Sequence, residues 1–294
     1  MKHAQDSRLR PLIYRDGRIL SSREILVRRL DPGRIHGRGV FETLRYSRGV
    51  ILFLDEHVRR MWRGLKYLKL TPPFFPRYLK SLAQDMLTGS GFKEARVRLM
   101  IWQARRCMHW AIVALPYRPL SEEQYRRGFR LGVSLWQIPP GADRSHVKPL
   151  PYRPYAAAYQ AAVRHGFDEA LMLNSAGWIA EASRANVFFV RGNALWTPAL
   201  GGGCLKGVTR QQVLQLARGR GFACREVKIF PRQISSLDEV FVTNSLLGIM
   251  PVVRFHNSLI GSGRPGSRTR LLRRKYLRYC REHIKACRIR NKNL

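Results

Sequence analysis

The sequence predicts an α+β protein in two lobes, and three observations carry that reading. Strand-like and helix-like runs follow one another without the regular strand-helix-strand alternation of a doubly wound sheet. The chain has 294 residues at 45% hydrophobic content, enough for two separate cores. It also passes through two stretches rich in turn residues, 116–120 and 137–148, where a lobe boundary belongs. This sets an N-terminal α+β lobe at 1–120, the start of the second lobe at 121–136, its main part at 137–262 and a basic helix at 263–294.

The elements follow in order. Tyr14-Arg15-Asp16-Gly17-Arg18-Ile19 holds an Asp-Gly step between apolar residues, a strong hairpin signal. A second hairpin is predicted from Val40 through Tyr46, a turn at Ser47-Arg48-Gly49, and Val50 through Leu54. Asp55 is expected to cap a helix to about Leu68, in which Val58, Met61, Leu65 and Leu68 recur at helical spacing. A further helix over 75–88 is followed by alternating strands at 95–103 and 109–115. Beyond the boundary an Ala-rich helix at 155–165 precedes strands at 169–173, 178–182, 187–190 and 194–197. A helix at 209–219 and a buried strand at 240–244 follow. In the tail, Leu271, Leu272, Tyr276, Tyr279, His283 and Ala286 share one side of a basic helix.

Charge and cysteines narrow the class. The chain carries 54 Lys+Arg against 19 Asp+Glu, a net charge of +35, which attracts polyanions. The excess is spread from Arg8 to Lys292 and no nucleic-acid recognition motif accompanies it, so small anionic substrates are the expected partners rather than a specific nucleic acid. Cys107, Cys204, Cys224, Cys280 and Cys287 are odd in number and never spaced as C-x-x-C, which points to neither a disulfide framework nor a metal site. Residues 1–10 lack an apolar stretch of signal-peptide length, and no segment reaches the length of a membrane span. The expectation is a cytoplasmic protein.

Three segments can carry chemistry. Lys148 lies in Ser145-His146-Val147-Lys148-Pro149-Leu150-Pro151-Tyr152, among apolar and restricting neighbours that suit a lysine aimed into a cleft with a depressed pKa. Glu181 stands alone on the apolar run Trp178-Ile179-Ala180-Glu181-Ala182, where a carboxylate needs a partner such as a protonated pyridine nitrogen or an arginine. Gly207-Val208-Thr209-Arg210 opens a helix, so the amides of Val208 and Thr209 can receive an anion. Thr243-Asn244-Ser245 ends a buried strand and can add hydroxyls, and Arg60 a permanent charge. A Schiff-base lysine, a pyridine partner and a phosphate site together define pyridoxal 5'-phosphate.

In these residues the chain resembles the class IV, fold-type IV pyridoxal phosphate enzymes. These include branched-chain and D-amino-acid aminotransferases and 4-amino-4-deoxychorismate lyases. The resemblance runs from about Arg15 to Val253. It rests in order on His36 through Arg45, Glu56-His57-Val58-Arg59-Arg60, Arg96-Val97-Arg98-Leu99, Lys148, Glu181 through Phe188, Thr197-Pro198, Gly207 through Arg210, and Asp238 through Ser245. It implies the two-lobed fold of D-amino-acid aminotransferase, with a small N-terminal α/β lobe and a larger C-terminal lobe around a β-barrel-like core. It further implies Lys148 as the Schiff-base lysine and as the acid and base that moves the proton. Glu181 would be the partner of the pyridine nitrogen, and Arg60, Val208, Thr209 and Ser245 the phosphate ligands. A homodimer, with the active site at the lobe boundary and near the partner subunit, is also implied.

Within the family, Asn244-Ser245-Leu246-Leu247-Gly248-Ile249-Met250-Pro251-Val252 and Ala185-Asn186-Val187-Phe188-Phe189 look more like the deoxychorismate lyases than the aminotransferases. On that reading pyruvate is eliminated and 4-aminobenzoate released for folate synthesis. Phe41, Asn244 and the arginines Arg45, Arg98, Arg105 or Arg106 would contact the dianionic substrate. Arg38 between the two glycines, Phe41 in place of a tyrosine, and a short 103–108 loop without an Arg-x-His pattern speak against D-amino-acid specificity. A branched-chain or broad-specificity aminotransferase needs the same Lys148 and Glu181 with a more apolar pocket, and is the alternative. A non-catalytic, basic nucleic-acid-binding protein on the same scaffold is the third reading, at odds with Lys148 and Glu181 standing together.

Overall fold

A computed structural model describes residues 10–20, 24–138 and 145–292, with the side chains of 24, 25, 291 and 292 excepted. The polar stretch at 1–9 and part of the expected connection, 139–144, lie outside the described residues. The chain divides into two compact units. The first comprises Met1–Pro119, Val147–Tyr152 and Arg281–Leu294, and the second Leu120–His146 and Arg153–Cys280.

The first unit opens with β1 (Leu12–Arg15), β2 (Arg18–Leu20), α1 (Glu24–Arg29), β3 (Arg38–Ser47) and β4 (Val50–Ile51). It continues with α2 (Leu54–Tyr67), α3 (Pro76–Leu87), β5 (Glu94–Ala104) and β6 (Cys107–Pro116). The strands form one sheet in the order β2-β1-β6-β5-β3-β4. Period-two alternation sorts its side chains. Val40, Leu44, Tyr46, Val97, Leu99, Ile101 and Ile112 meet Val58, Met61 and Leu65 of α2 and Leu79, Ala83 and Leu87 of α3. On the opposite face Ile13, Phe41, Met100, Trp102 and Val113 pack with Leu30 and Ile35. Both predicted hairpin turns are present, with positive φ at Asp16 and Gly17 and at Arg48 and Gly49. The expected cap of α2 is corrected. The helix starts at Leu54 after Phe53, whose φ is 55°, and Asp55 in its first turn instead pairs with Lys80 at 2.6 Å.

The second unit begins with α4 (Glu122–Arg127) and β7 (Phe129–Ile138). The next element, β8 (Pro149–Leu150), belongs to the first unit, and the chain returns with α5 (Arg153–Arg164). There follow β9 (Glu169–Asn174), β10 (Ile179–Ala182), β11 (Asn186–Arg191), β12 (Ala194–Pro198), α6 (Val208–Arg218) and β13 (Ala223–Val227). The last elements are β14 (Glu239–Asn244), β15 (Gly248–Phe255), β16 (Ser258–Leu259) and α7 (Ser267–Lys292). The mixed sheet runs β10-β9-β7-β15-β14-β11-β12-β13, and β10 also lies against β11 and β12, so the sheet curls on itself. This is the α+β, fold-type IV architecture, with a curled half-barrel open at its two edge strands. Leu131, Leu171, Val187, Phe189, Val242 and Met250 fill one side. Glu239 caps α7 by accepting from the amides of Arg268 and Thr269 at 3.0 and 2.7 Å, a carboxylate at the positive end of a helix.

β8 is the finding of greatest consequence. Sequence reading assigned all of 137–262 to the second lobe, yet Val147–Tyr152 packs into the first unit. Leu150 pairs with Gly39 and Pro149 with Val40, and buried Leu150 joins the Phe41 cluster. The prolines suit an edge strand, where a missing N–H costs no ladder bond. Gly39 is required at its position: a Cβ there would lie 2.3 Å from the Ile101 carbonyl oxygen and 2.5 Å from Trp102 Cα. The tail helix also differs from a separate appendage, since its last residues, from Arg281, count with the first unit.

Candidate active site

In the first unit, pairing of β8 to β3 brings Lys148 beside Phe41. The Phe41 amide donates to the Lys148 carbonyl at 3.1 Å, and Lys148 Nζ lies 4.6 Å from the Phe41 ring centroid. Tyr152, four residues on, places its ring 6.0 Å from the same nitrogen and 5.0 Å from the Phe41 ring, edge to face. Two aromatic rings thus flank the amine. Sequence reading overlooked Tyr152, although its spacing from Lys148 within a proline-stiffened segment is a usable signal.

Arg60 is buried on the other face of β3. Its Nε donates to Glu42 Oε1 at 2.7 Å and its Nη2 to Glu42 Oε2 at 2.6 Å, while His57 Nδ1 donates to Oε2 at 2.7 Å. Burial would raise the Glu42 carboxyl, but the charge of Arg60 and the bonds from Arg60 and His57 outweigh it and hold the group at about 2. Burial pushes the His57 imidazole down despite Glu42, helped by the charges of Arg60 and Lys148. The carboxylate only accepts, so the His57 proton that meets it is on Nδ1, and the lowered imidazole stays neutral at neutral pH.

The four candidate substrate arginines are also in this unit. Arg45, four residues along β3 from Phe41 and so about 13 Å away, pairs with Glu94 at 2.8 Å and stacks on Tyr117. Arg98 pairs with Asp31 at 3.0 Å. Arg105 is exposed in the two-residue β5–β6 turn, where it and Arg106 both have positive φ.

In the second unit, Glu181 is buried on β10 and its Oε2 accepts the Leu205 amide at 3.0 Å. Burial, then the Glu181 charge, pushes the neighbouring Cys204 thiol up to about 12. Asn186 Nδ2 donates to the Leu205 carbonyl at 2.8 Å, and a Cβ on Gly207 would fall 2.0 Å from Asn186 Oδ1. One asparagine therefore locks the loop that carries both the Glu181 donor and the start of α6. Val208 and Thr209 are buried in that first turn, and Gly207 supplies no side-chain cap. A helix start of this kind suits a phosphate. Thr243 pairs with Asn186 across β14 and β11, and its buried hydroxyl has no hydrogen-bond partner among the described residues. That polar residue on the Asn186 face fits an anionic group as well. Asn244 Oδ1 accepts from the Leu246 and Leu247 amides at 3.0 and 2.8 Å, and its Nδ2 donates to the Arg184 carbonyl at 3.1 Å. Its side chain thus shapes the Ser245 loop, a use that sequence reading, which had it on the substrate, did not anticipate.

Two outcomes follow. Gly207→Ala should destabilise the fold by about 1–3 kcal/mol, the usual cost of overpacking, read by urea unfolding. An unchanged midpoint would mean that Asn186 yields without cost. Acidification should act in two stages. An unfolded histidine takes up a proton below its ordinary 6.5 whereas His57 resists, so stability falls as the pH drops below 6.5. The Glu42 contribution is complete above 4.5 and is lost as the pH falls from there through about 2. His57→Asn should remove its share of the first stage, measured as the difference in unfolding free energy between neutral and mildly acidic buffer.

Comparison with known proteins places this arrangement. A family model for amino-transferase class IV matches residues 39–255. Over 287 residues the chain is 26% identical to a branched-chain-amino-acid aminotransferase of Pseudomonas aeruginosa, covering 90% of this chain and 91% of that protein. It is also 26% identical over 284 residues to an aminodeoxychorismate lyase of Bacillus subtilis, covering 91% and 95%. A T.th. branched-chain amino acid aminotransferase, solved with pyridoxamine 5'-phosphate, superimposes with a TM-score of 0.82 at 28% identity, covering 92% of this chain and 93% of that one. The chain belongs to the class IV aminotransferase family and is a pyridoxal phosphate-dependent enzyme, an aminotransferase or a lyase.

Proposed function

We propose that the enzyme is a 4-amino-4-deoxychorismate lyase in which Lys148 carries the cofactor and moves the proton. Arg60, the amides of Val208 and Thr209, and Ser245 hold the phosphate, and Glu181 keeps the pyridine nitrogen protonated. Pyridoxal phosphate, when bound, supplies the electron sink that makes a proton on the substrate carbon acidic. The neutral amine of Lys148 takes that proton, and its ammonium form returns one to the departing pyruvate carbon. Phe41 and Tyr152 shield the amine from water on their side. A neutral His57, and a carboxylate that compensates Arg60, leave the Glu42 cluster without a net charge.

The observation that supports the lyase is the Asn244 loop. The Asn-Ser step that resembles the lyases is built into its hydrogen bonding, with the Asn244 amide joining Leu246, Leu247 and Arg184. A second reading, a branched-chain or broad-specificity aminotransferase, is favoured by Arg45 and Arg98. Both are paired with carboxylates, and the rings of Phe41 and Tyr152 beside Lys148 suit an apolar side chain. The substrate is in either case a small anionic amino compound, and a cytoplasmic homodimer is part of the proposal on family grounds.

Incubation with aminodeoxychorismate should release 4-aminobenzoate and pyruvate. Conversion of a branched-chain amino acid with 2-oxoglutarate, and no such release, would establish the aminotransferase instead. Lys148→Ala should keep the fold and lower turnover by about 10²–10⁴, the range of a positioned acid-base group. Retained activity in that variant excludes both readings.

A further inference from the structure

The cluster of Glu42, His57 and Arg60 is costly to bury and has no role yet beyond the charge of Arg60. Along β3, Glu42 stands between Val40 and Leu44 on a face that is otherwise apolar and that packs against Val58, Met61 and Leu65 of α2. All three polar side chains are buried, at 1%, 1% and 5% exposure. Removing charged groups from water costs several kcal/mol each, and an apolar trio of similar volume at such a place is commonly neutral or more stable. Stability alone therefore does not explain the cluster.

Its geometry does. The two oxygens of Glu42 take Nε and Nη2 of Arg60 as a fork, and this bidentate pairing defines the plane of the guanidinium. His57, one helical turn before Arg60, donates to Oε2 and so fixes the rotation of the carboxylate that holds the fork. The outer edge of the guanidinium, Nη1 and the second N–H of Nη2, is the one that faces away from Glu42. We propose that Glu42 and His57 are positioning residues for cofactor binding, which lock the Arg60 fork so that its outer edge receives the phosphate. The inference rests on the reading of Arg60 as a phosphate ligand and adds two residues that act through it.

The test compares the affinity of the cofactor-stripped protein for pyridoxal phosphate and for pyridoxal, titrated by absorbance. The ratio of the two isolates the phosphate. Glu42→Asp keeps the charge but cannot reach both partners, and should lower the ratio by about tenfold or more, as for the loss of one charge-assisted hydrogen bond. Pyridoxal affinity should stay within about twofold. Arg60→Lys should lower the ratio similarly, and the double variant should fall no further than Arg60→Lys alone, because both changes remove the same interaction. His57→Leu should lower the ratio, while His57→Asn, which keeps a donor near the Nδ1 position, should restore it. This pair reads the same question if the Glu42 variant does not fold.

Equal weakening of both ligands, or multiplicative losses in the double variant, would reduce the cluster to a structural role and overturn the proposal. A wild-type protein that binds both ligands equally would also overturn it, leaving the enzyme reading intact. A wild-type protein that binds neither would sink the enzyme reading itself.

Discussion

The position of the catalytic lysine proposed here depends on one short backbone pairing. Lys148 gives its carbonyl to the Phe41 amide, and the next two residues extend the edge of β3 opposite Val40 and Gly39. This is a strand of two residues, too short to persist alone. It is held because Leu150 drops into the Phe41, Met100 and Trp102 cluster and because Gly39 leaves no Cβ against β5. A segment that sequence order puts after β7 of the second unit is thereby made part of the first.

Both units solve the same physical problem, keeping a polar group in an apolar interior with every bond directed. In the first, a carboxylate accepts three donors from one helix and stays ionised at about 2 in spite of burial. In the second, Glu181 is met by a backbone amide whose loop is fixed by Asn186, and the same asparagine crowds Gly207 at the start of α6. Asn244 does comparable work at the end of β14, where one amide group orders the two residues after Ser245. Buried polar networks of this kind give a unique geometry because a partly satisfied alternative is costly.

Much of this was legible in the sequence. The hairpins at Asp16-Gly17 and Arg48-Gly49, the α3 helix and the Gly207 helix start are local, set by turn chemistry and helical periodicity. The motifs holding Lys148, Glu181 and Gly207 through Arg210 carried the family. Strand β7 was not read, nor β13 and β15, because their pairings are with strands far away in sequence and their residues lack clean alternation. The α2 cap was misread because Asp55 is a good capping type, whereas Phe53 in a left-handed conformation takes the place for reasons of packing.

By itself the sequence determined the class of fold, the family and the residue types of the proposed cofactor site, since these follow from local propensity and from motifs whose spacing is visible along the chain. Only the tertiary structure decided which of those residues have their polar groups committed elsewhere. Arg45, Arg98 and Arg60 are alike in the sequence, and the fold gives each a different carboxylate, Glu94, Asp31 and Glu42, 49, 67 and 18 residues away. His57 looked like a neighbour of Arg60, and its meaning came from Glu42 across the sheet. Pairing across the sheet assigns each charge its partner, and the chain order of residues carries no record of it.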